Sequence, residues 1–303
     1  MPITDFAGKT AFITGGASGI GLAMAKSFAA RGANVMLADI EEAPLKAAIE
    51  LLSKTNAQVD GVVLDVSDRN AMQAAAKKSI DRFGKVHIVC NNAGIGAGGP
   101  MDEISPQDWE WSIDVNLKGV VWGIEAFVPL IKEHGEGGHV VNTASMAGVV
   151  PVPGFGPYTA TKYAVVGMSE DLSMELDPFG IGVSVLCPGF VATQIANSRR
   201  TRSADKYGDD AVEDDTITAA NTAVAAGIPA EVVGERVVEC ILENRLYAFT
   251  HPEFKDPAQA RFDRMAADFE AAATSASITG VDAGVKERQL AASDALVEGM
   301  QQQ

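Results

Sequence analysis

Cysteine, histidine and positive charge are all scarce in this chain, and each shortage closes off a class of function. Three cysteines occur in 303 residues: Cys90, Cys187 and Cys240. They are odd in number, widely separated and set among apolar neighbours. That excludes a disulfide framework or a cysteine-rich metal site and predicts buried thiols in a reducing compartment. The four histidines, His87, His134, His139 and His251, have no mutual spacing suited to a metal, and residues 134–139 read as a glycine-rich turn entering a strand. Acids outnumber bases, 40 to 24, for a net charge of −16. A chain so acidic repels polyanions, which argues against nucleic acid or an anionic membrane as partner. No uncharged apolar stretch is long enough to span a bilayer. Residues 1–8 lack a basic region followed by an apolar run, so no secretory signal is expected. These absences together predict a soluble, cytoplasmic protein.

What is abundant is alanine and glycine, arranged in helical stretches that alternate with short Val/Ile/Leu runs. Apolar runs at 10–14, 34–39, 61–65, 86–91, 139–145, 182–187 and 246–250 predict strands. The stretches between them, at 22–30, 41–54, 70–83, 109–133, 158–176 and 231–244, predict helices. Strand–helix alternation of this kind predicts an α/β fold: a doubly wound parallel sheet with helices on both faces, the Rossmann arrangement. From 192 to 229 the pattern fails. Arg199, Arg200 and Arg202 and the acid pairs Asp209-Asp210 and Asp214-Asp215 fall in a polar stretch, read as a mobile excursion over the top of the sheet. The domain boundary is placed at 252, with a helical extension over 253–303. In that extension Phe262, Met265 and Phe269 share one helix face, which reads as a docking face, and the end from 274 is polar enough to fray.

Two local patterns carry chemistry. The first is Thr14-Gly15 followed by Gly19-Ile20-Gly21, opening a helix directly after the first strand. Glycine is required where the backbone turns tightly and approaches a pyrophosphate, and the helix start offers N–H groups and the positive dipole end to the phosphates. Asp39 ends the next strand, as the dinucleotide fingerprint requires. A carboxylate there accepts hydrogen bonds from ribose hydroxyls and repels a 2′-phosphate. Ile40 follows, where an arginine would have favoured phosphate, and Gly16-Ala17 supplies no base, so NAD is favoured over NADP. A plain turn or cap role for Asp39 is the alternative. The second pattern is Tyr158 and Lys162, one helical turn apart, with Ser145 upstream. A fixed ammonium beside a phenol favours the phenolate and brings it toward a range useful for proton exchange with an alcohol. The same pair occurs on ordinary solvated helix faces; its meaning comes from the rest of the chain.

Taken together, these residues resemble the short-chain dehydrogenase/reductase family in its ordinary, non-extended form, over about residues 8–252. The resemblance implies further assignments. Asp65-Val66 would border the adenine, and Asn92, Ala93 and Gly94 would form a cofactor wall at a strand end. Pro188, Gly189, Val191 and Thr193 would face the nicotinamide, beside the turn residues Gly15, Ser18, Gly19, Ile20 and Gly21. Asn116, Ser145, Tyr158 and Lys162 would be the catalytic set, with Lys162 also holding the nicotinamide ribose. Asn116 is mildly unfavourable mid-helix, which suggests a local break that keeps a water and Lys162 in contact; a place on a polar helix face is the alternative. The family also implies a homodimer or homotetramer. The excursion and the extension, with Tyr247-Ala248-Phe249-Thr250-His251-Pro252, are similar to those of aryl-alcohol (lignin β-aryl ether) Cα-dehydrogenases. A long lid suits a bulky hydrophobic alcohol or ketone. Candidate walls are Ile95, Met146, Val152, Phe155, Phe190, Ile195 and Tyr207, with plain packing as the alternative. His251, at a strand end near the site, is either a substrate contact or structural. No metal is assigned. The competing functions are a cofactor-binding scaffold without turnover, an NADP-dependent carbonyl reductase, and a sugar-nucleotide epimerase of the extended type. The glycine spacing argues against the last.

Overall fold

Seven strands form one parallel sheet in the order β3-β2-β1-β4-β5-β6-β7. They are β1 Thr10–Thr14, β2 Asn34–Asp39, β3 Val59–Val63, β4 Ile88–Asn91, β5 Gly138–Thr143, β6 Ile181–Cys187 and β7 Tyr247–Phe249. This computed structural model describes residues 2–54, 58–208 and 222–301. The acid pairs of the excursion, Asp209-Asp210 and Asp214-Asp215, lie outside the described residues. The chain divides into two compact units, Met1–Thr250 and His251–Gln303.

The central strands are buried along their whole length, which is why they read as continuous apolar runs rather than alternating ones. One sheet face carries α1 (Gly19–Ala29) and α2 (Glu42–Leu52), packed over Ile13, Val35 and Leu37. The other carries α3 (Arg69–Phe83), over Phe12, Met36 and Phe127. There the rings of Phe12 and Phe127 meet at 4.2 Å between centroids; burial of each is worth about 1.5–3 kcal/mol. The strand order reverses between β1 and β4, so the crevice at their carboxyl ends is where such a fold receives a ligand.

The long helix predicted over 109–133 is in fact three pieces. α4 (Pro106–Ile113) starts three residues earlier, because Ser105 accepts a hydrogen bond from the Asp108 N–H and Pro106 sits in the first turn. A π-helical turn follows at Asp114–Lys118, and α5 (Gly119–His134) continues from it. The expected local break at Asn116 is therefore a widened turn centred on that residue. α6 (Gly156–Leu176) carries Tyr158 and Lys162.

The excursion leaves and re-enters the sheet at one place. Ile228 donates to the Phe190 carbonyl and accepts from the Ala192 N–H, at 3.0 and 2.9 Å, forming a stem. Its first half coils at Ile195–Thr201 and in α7 (Ala204–Tyr207). Where the composition predicted mobility, this half is tied down: Arg199 and Arg202 both pair with the buried Asp108 at 3.2 Å. α8 (Ala230–Leu242) then returns the chain to β7.

In the second unit, α9 (Lys255–Thr274), α10 (Ala276–Thr279) and α11 (Ala283–Gln301) are helical almost to the end, where the polar composition predicted fraying. Phe262, Met265 and Phe269 are exposed on α9, a helix with no buried residue. His251 lies edge-on to Phe254.

Candidate active site

The turn after β1 has the conformation its glycines permit. Gly15 holds φ at +61°, a region that side-chain-bearing residues rarely adopt. At Gly21 a Cβ would stand 2.1 Å from the Gly15 carbonyl oxygen, so only glycine fits between turn and helix. Ser18 is the N-cap of α1, yet its side chain makes no capping bond. The first-turn N–H groups are thus left to whatever anion occupies the crevice. Ile20 packs on the sheet below, and Thr193 arches over Gly19, 3.0 Å from where its Cβ would lie.

Thr14, at the end of β1, stitches the crevice together. Its hydroxyl accepts from the backbone N–H groups of Asn92 and Ala93, at 2.9 and 3.0 Å, and donates to Cys90 O. Asn92 in turn donates its side-chain amide to Thr14 O at 3.0 Å. Thr14 stood in the motif but received no role in the sequence reading; a hydroxyl immediately before the glycine turn is the signal. At the β2 end, Asp39 accepts from the Ala17 N–H at 3.0 Å and the Glu41 N–H at 3.1 Å. Burial nonetheless raises its carboxyl above the ordinary value, with those two N–H bonds acting against the rise. Asp65 accepts from the Ser67 N–H and hydroxyl, and Val66 is packed against Gly119.

Asn116 is fully buried and holds Ile95 at both polar ends. It accepts from the Ile95 N–H at 2.8 Å and donates to its carbonyl at 2.9 Å. Its amide also reaches the Thr161 hydroxyl at 3.5 Å, one residue before Lys162. A Cβ added at Gly94 would lie 3.1 Å from the same asparagine's Oδ1 and 3.4 Å from Lys162 Nζ. The π-turn therefore supports the loop after β4 and the helix carrying the Tyr–Lys pair.

Ser145, Tyr158 and Lys162 converge at the carboxyl ends of β5 and β6. The Ser145 hydroxyl accepts from Ala147 N–H at 3.1 Å, donates to Pro188 O at 3.3 Å and is hydrogen-bonded to the Tyr158 phenol. Lys162 is 2% exposed and donates to the Thr143 carbonyl at 2.9 Å, with Nζ 5.5 Å from the centre of the Tyr158 ring. The electrostatics differ from the sequence expectation. Burial pushes the half-buried phenol of Tyr158 up, and the Ser145 bond opposes this; Lys162 is not among the causes. Burial also lowers Lys162 to about 8. Desolvation outweighs the mutual attraction because the ammonium is turned to a carbonyl rather than to the phenol oxygen. Cys187 is the neighbour no motif announced: a buried thiol close enough to feel Lys162, itself pushed up to about 12 by burial.

The expected pocket walls divide. Phe155 stands edge-on to Tyr158 at 6.4 Å, and Met146 is buried next to Ser145. Ile195 is half-buried, while Val152 and Phe190 are exposed, at 39% and 51%. Tyr207 has a different environment. It packs with Ile95, Ala97 and Trp111, and its hydroxyl donates to Asp114 at 3.0 Å, so it anchors the excursion. Pro188 and Gly189 follow β6 directly, whereas Val191 is buried in the core beside the excursion stem.

At the opposite edge of the sheet the fold gathers His87, His134 and Glu136, which sequence spacing did not foresee. Their hydrogen bonds oppose a metal. His87 Nδ1 accepts the Thr10 N–H, which puts its proton on Nε2, facing Glu136 at 3.0 Å. His134 spends both nitrogens on backbone, Nδ1 on Glu136 N–H and Nε2 on Val86 O. His139 is interior, with Nε2 2.8 Å from the Ser184 hydroxyl, and burial lowers it to about 3.

A parallel sheet wound on both faces, with a glycine turn at its switch point, defines a dinucleotide-binding scaffold. Comparison with known proteins makes this specific. The family model for short chain dehydrogenases matches residues 9–204. The C alpha-dehydrogenase of Sphingobium sp. (strain NBRC 103272 / SYK-6) is 34% identical over 261 residues, 85% of this chain and 85% of that protein. The structure of a short chain dehydrogenase/reductase from Burkholderia phymatum in complex with NAD superposes with a TM-score of 0.84 at 38% identity, covering 88% of this chain and 97% of that one. The apo form of LigO from Sphingobium sp. strain SYK-6 gives 0.78 at 32% identity, with 95% and 97% covered. The chain belongs to the short-chain dehydrogenase/reductase family of oxidoreductases. No helix among the described residues is long and apolar enough to cross a membrane.

Proposed function

We propose that the protein is an NAD-dependent dehydrogenase interconverting a secondary alcohol and a ketone, with a bulky hydrophobic substrate. The observation that carries this reading is the convergence of the Ser145 hydroxyl, the Tyr158 phenol and the buried Lys162 ammonium at the carboxyl edge of β5 and β6. A cofactor-binding scaffold has no use for a desolvated lysine beside a phenol.

The crevice fits a dinucleotide. The uncapped start of α1 and the turn at Gly15, Gly19 and Gly21 suit the pyrophosphate. Asp39 suits the adenosine ribose of NAD, and Asp65-Val66 the adenine. The wall is Asn92, Ala93 and Gly94, with Pro188, Gly189 and Thr193 on the nicotinamide side and Val191 packed in the core behind them. The bound nicotinamide supplies the hydride chemistry; the protein supplies position and the proton. In reduction the Tyr158 hydroxyl gives its proton to the developing alkoxide, and in oxidation the phenolate removes one from the alcohol. Ser145 holds the same oxygen from the other side. Lys162 binds the nicotinamide ribose, and Asn116 positions the Lys162 helix through Thr161. Phe155 and Met146 form the apolar wall next to the reacting carbon, with Ile95, Phe190 and Ile195 further out. By family resemblance the protein assembles as a homodimer or homotetramer.

The test is a panel of secondary alcohols, from cyclohexanol to steroids and aryl carbinols, each offered with NAD and with NADP. Tyr158→Phe is expected to lower turnover by about 10²–10⁴-fold while retaining NAD binding by fluorescence titration. A variant that turns over at the wild-type rate overturns the role of the phenol.

A further inference from the structure

Among the described residues, Arg200 of the excursion reaches the β2 end of the crevice, near enough to act on Asp39. Arg200 clasps Glu41 with two parallel bonds, Nη2 to Oε2 at 2.7 Å and Nε to Oε1 at 3.2 Å. Its remaining arm, Nη1, donates to the carbonyls of Gln194 and Asn197, at 3.2 and 2.7 Å. Four of the five guanidinium N–H donors are therefore committed, and both side chains are about one-third exposed. Glu41 in turn donates its backbone N–H to Asp39 at 3.1 Å, and Asp39 accepts the Ala17 N–H of the glycine turn. Turn, Asp39, Glu41 and Arg200 thus form one continuous string. No local pattern signals this pairing, because the paired residues are 159 positions apart and the segment directly after Asp39 holds no base.

We propose that Glu41 is a second determinant of cofactor choice, acting by keeping Arg200 engaged and so unavailable to a 2′-phosphate beside Asp39. The inference rests on the NAD reading above, in which the ribose 2′-oxygen faces the Asp39 carboxylate. An arginine fork binds a carboxylate and a phosphate with the same two-bond geometry. In this string the carboxylate occupies the fork, and the pair contributes no net charge to oppose Asp39. A 2′-phosphate arriving there meets one buried carboxylate and a cation already spent. Removing the Glu41 charge while keeping its size frees the fork a short distance from the same pocket.

Isothermal titration calorimetry with 5′-AMP and 2′,5′-ADP, on wild type, Glu41→Gln, Arg200→Gln and the double variant, tests this without turnover. Differential scanning calorimetry confirms that each variant is folded, which the exposure of the pair favours. Glu41→Gln is expected to bind 2′,5′-ADP about tenfold tighter, a change of about 1.4 kcal/mol, with 5′-AMP changed less than about twofold. In the double variant that gain is expected to disappear, because the arginine carries it. Unchanged 2′,5′-ADP affinity in Glu41→Gln overturns the proposal. So does a gain that survives Arg200→Gln, which would reduce the effect to one negative charge removed. Equal gains for both nucleotides also overturn it, making the pair a latch rather than a discriminator. Wild-type protein that binds neither nucleotide fails at an earlier point, refuting the dinucleotide crevice itself.

Discussion

Replacing Lys162 by methionine is expected to stabilise the fold at neutral pH while destroying the site. The ammonium is buried, with its proton affinity lowered from 10.5 to about 8. Keeping it charged therefore costs the folded chain about 3 kcal/mol at pH 7, at roughly 1.4 kcal/mol per pH unit. An unfolded lysine keeps its proton to about 10.5 and the folded one releases it near 8. Between those values the unfolded state holds more protons, so wild-type stability rises with pH across that window. The cost is complete below pH 8 and gone above 10.5. Methionine has similar length and no charge, but it leaves the Thr143 carbonyl without its 2.9 Å donor, a loss of about 1–2 kcal/mol. The net is a gain of about 1–2 kcal/mol at pH 7, or a Tm higher by about 2–6 °C for a domain of this size. At pH 10.5 the order reverses, because the wild-type amine is then neutral and still makes its bond. Calorimetry of the two proteins without nucleotide, at pH 7 and pH 10.5, reads both values. A variant less stable than wild type at pH 7, with a gap that does not change with pH, would refute the desolvation argument.

Other outcomes follow from the same geometry. Asn116→Ala strands the N–H and carbonyl of buried Ile95, so chemical denaturation should show about 2–4 kcal/mol of lost stability. Because the amide also reaches Thr161, kcat should fall more than KM rises, whereas a purely structural role would leave the kinetics of the folded fraction unchanged. Alcohol oxidation should accelerate as pH rises above neutral, since it needs the phenolate, which burial disfavours. Ketone reduction, which uses the protonated phenol, should stay level across pH 6–8. Opposite profiles measured in stopped-flow pre-steady-state phases would contradict the assignment of Tyr158.

Much of the fold could be read from the chain because the buried sheet imposes it. The runs at β1, β2, β4, β5 and β6 are buried almost throughout, as strands covered on both faces of a parallel sheet are. The glycine turn and the Tyr–Lys pair were legible for a related reason: each depends on residues adjacent in sequence. The misses occurred where two distant segments settle the outcome. The register of β3 begins at Val59, two residues before the expected start, because it is set by pairing with β2 rather than by its own composition. The break in the 109–133 helix was signalled by Asn116, a poor helix former; only its partner, Ile95, twenty-one positions away, was not. The excursion looked mobile because its sequence is polar and weakly periodic, yet Asp108 and Glu41 pair with its arginines in the fold.

The same distinction explains why the direction of the Tyr158 shift was misjudged. Sequence spacing places an ammonium one turn from a phenol, and proximity alone argues for a lowered phenol. The fold adds two facts that spacing does not contain: the lysine is almost wholly buried, and its donor is directed at Thr143 O. In such a site desolvation drives each group toward its neutral form, the phenol upward and the ammonium downward. Proton transfer at neutral pH then needs a further positive charge to favour the phenolate, and oxidised nicotinamide is the group that brings one. On the proposed function, the apo site disfavours the phenolate until the oxidised cofactor is present, which links acid–base readiness to cofactor occupancy.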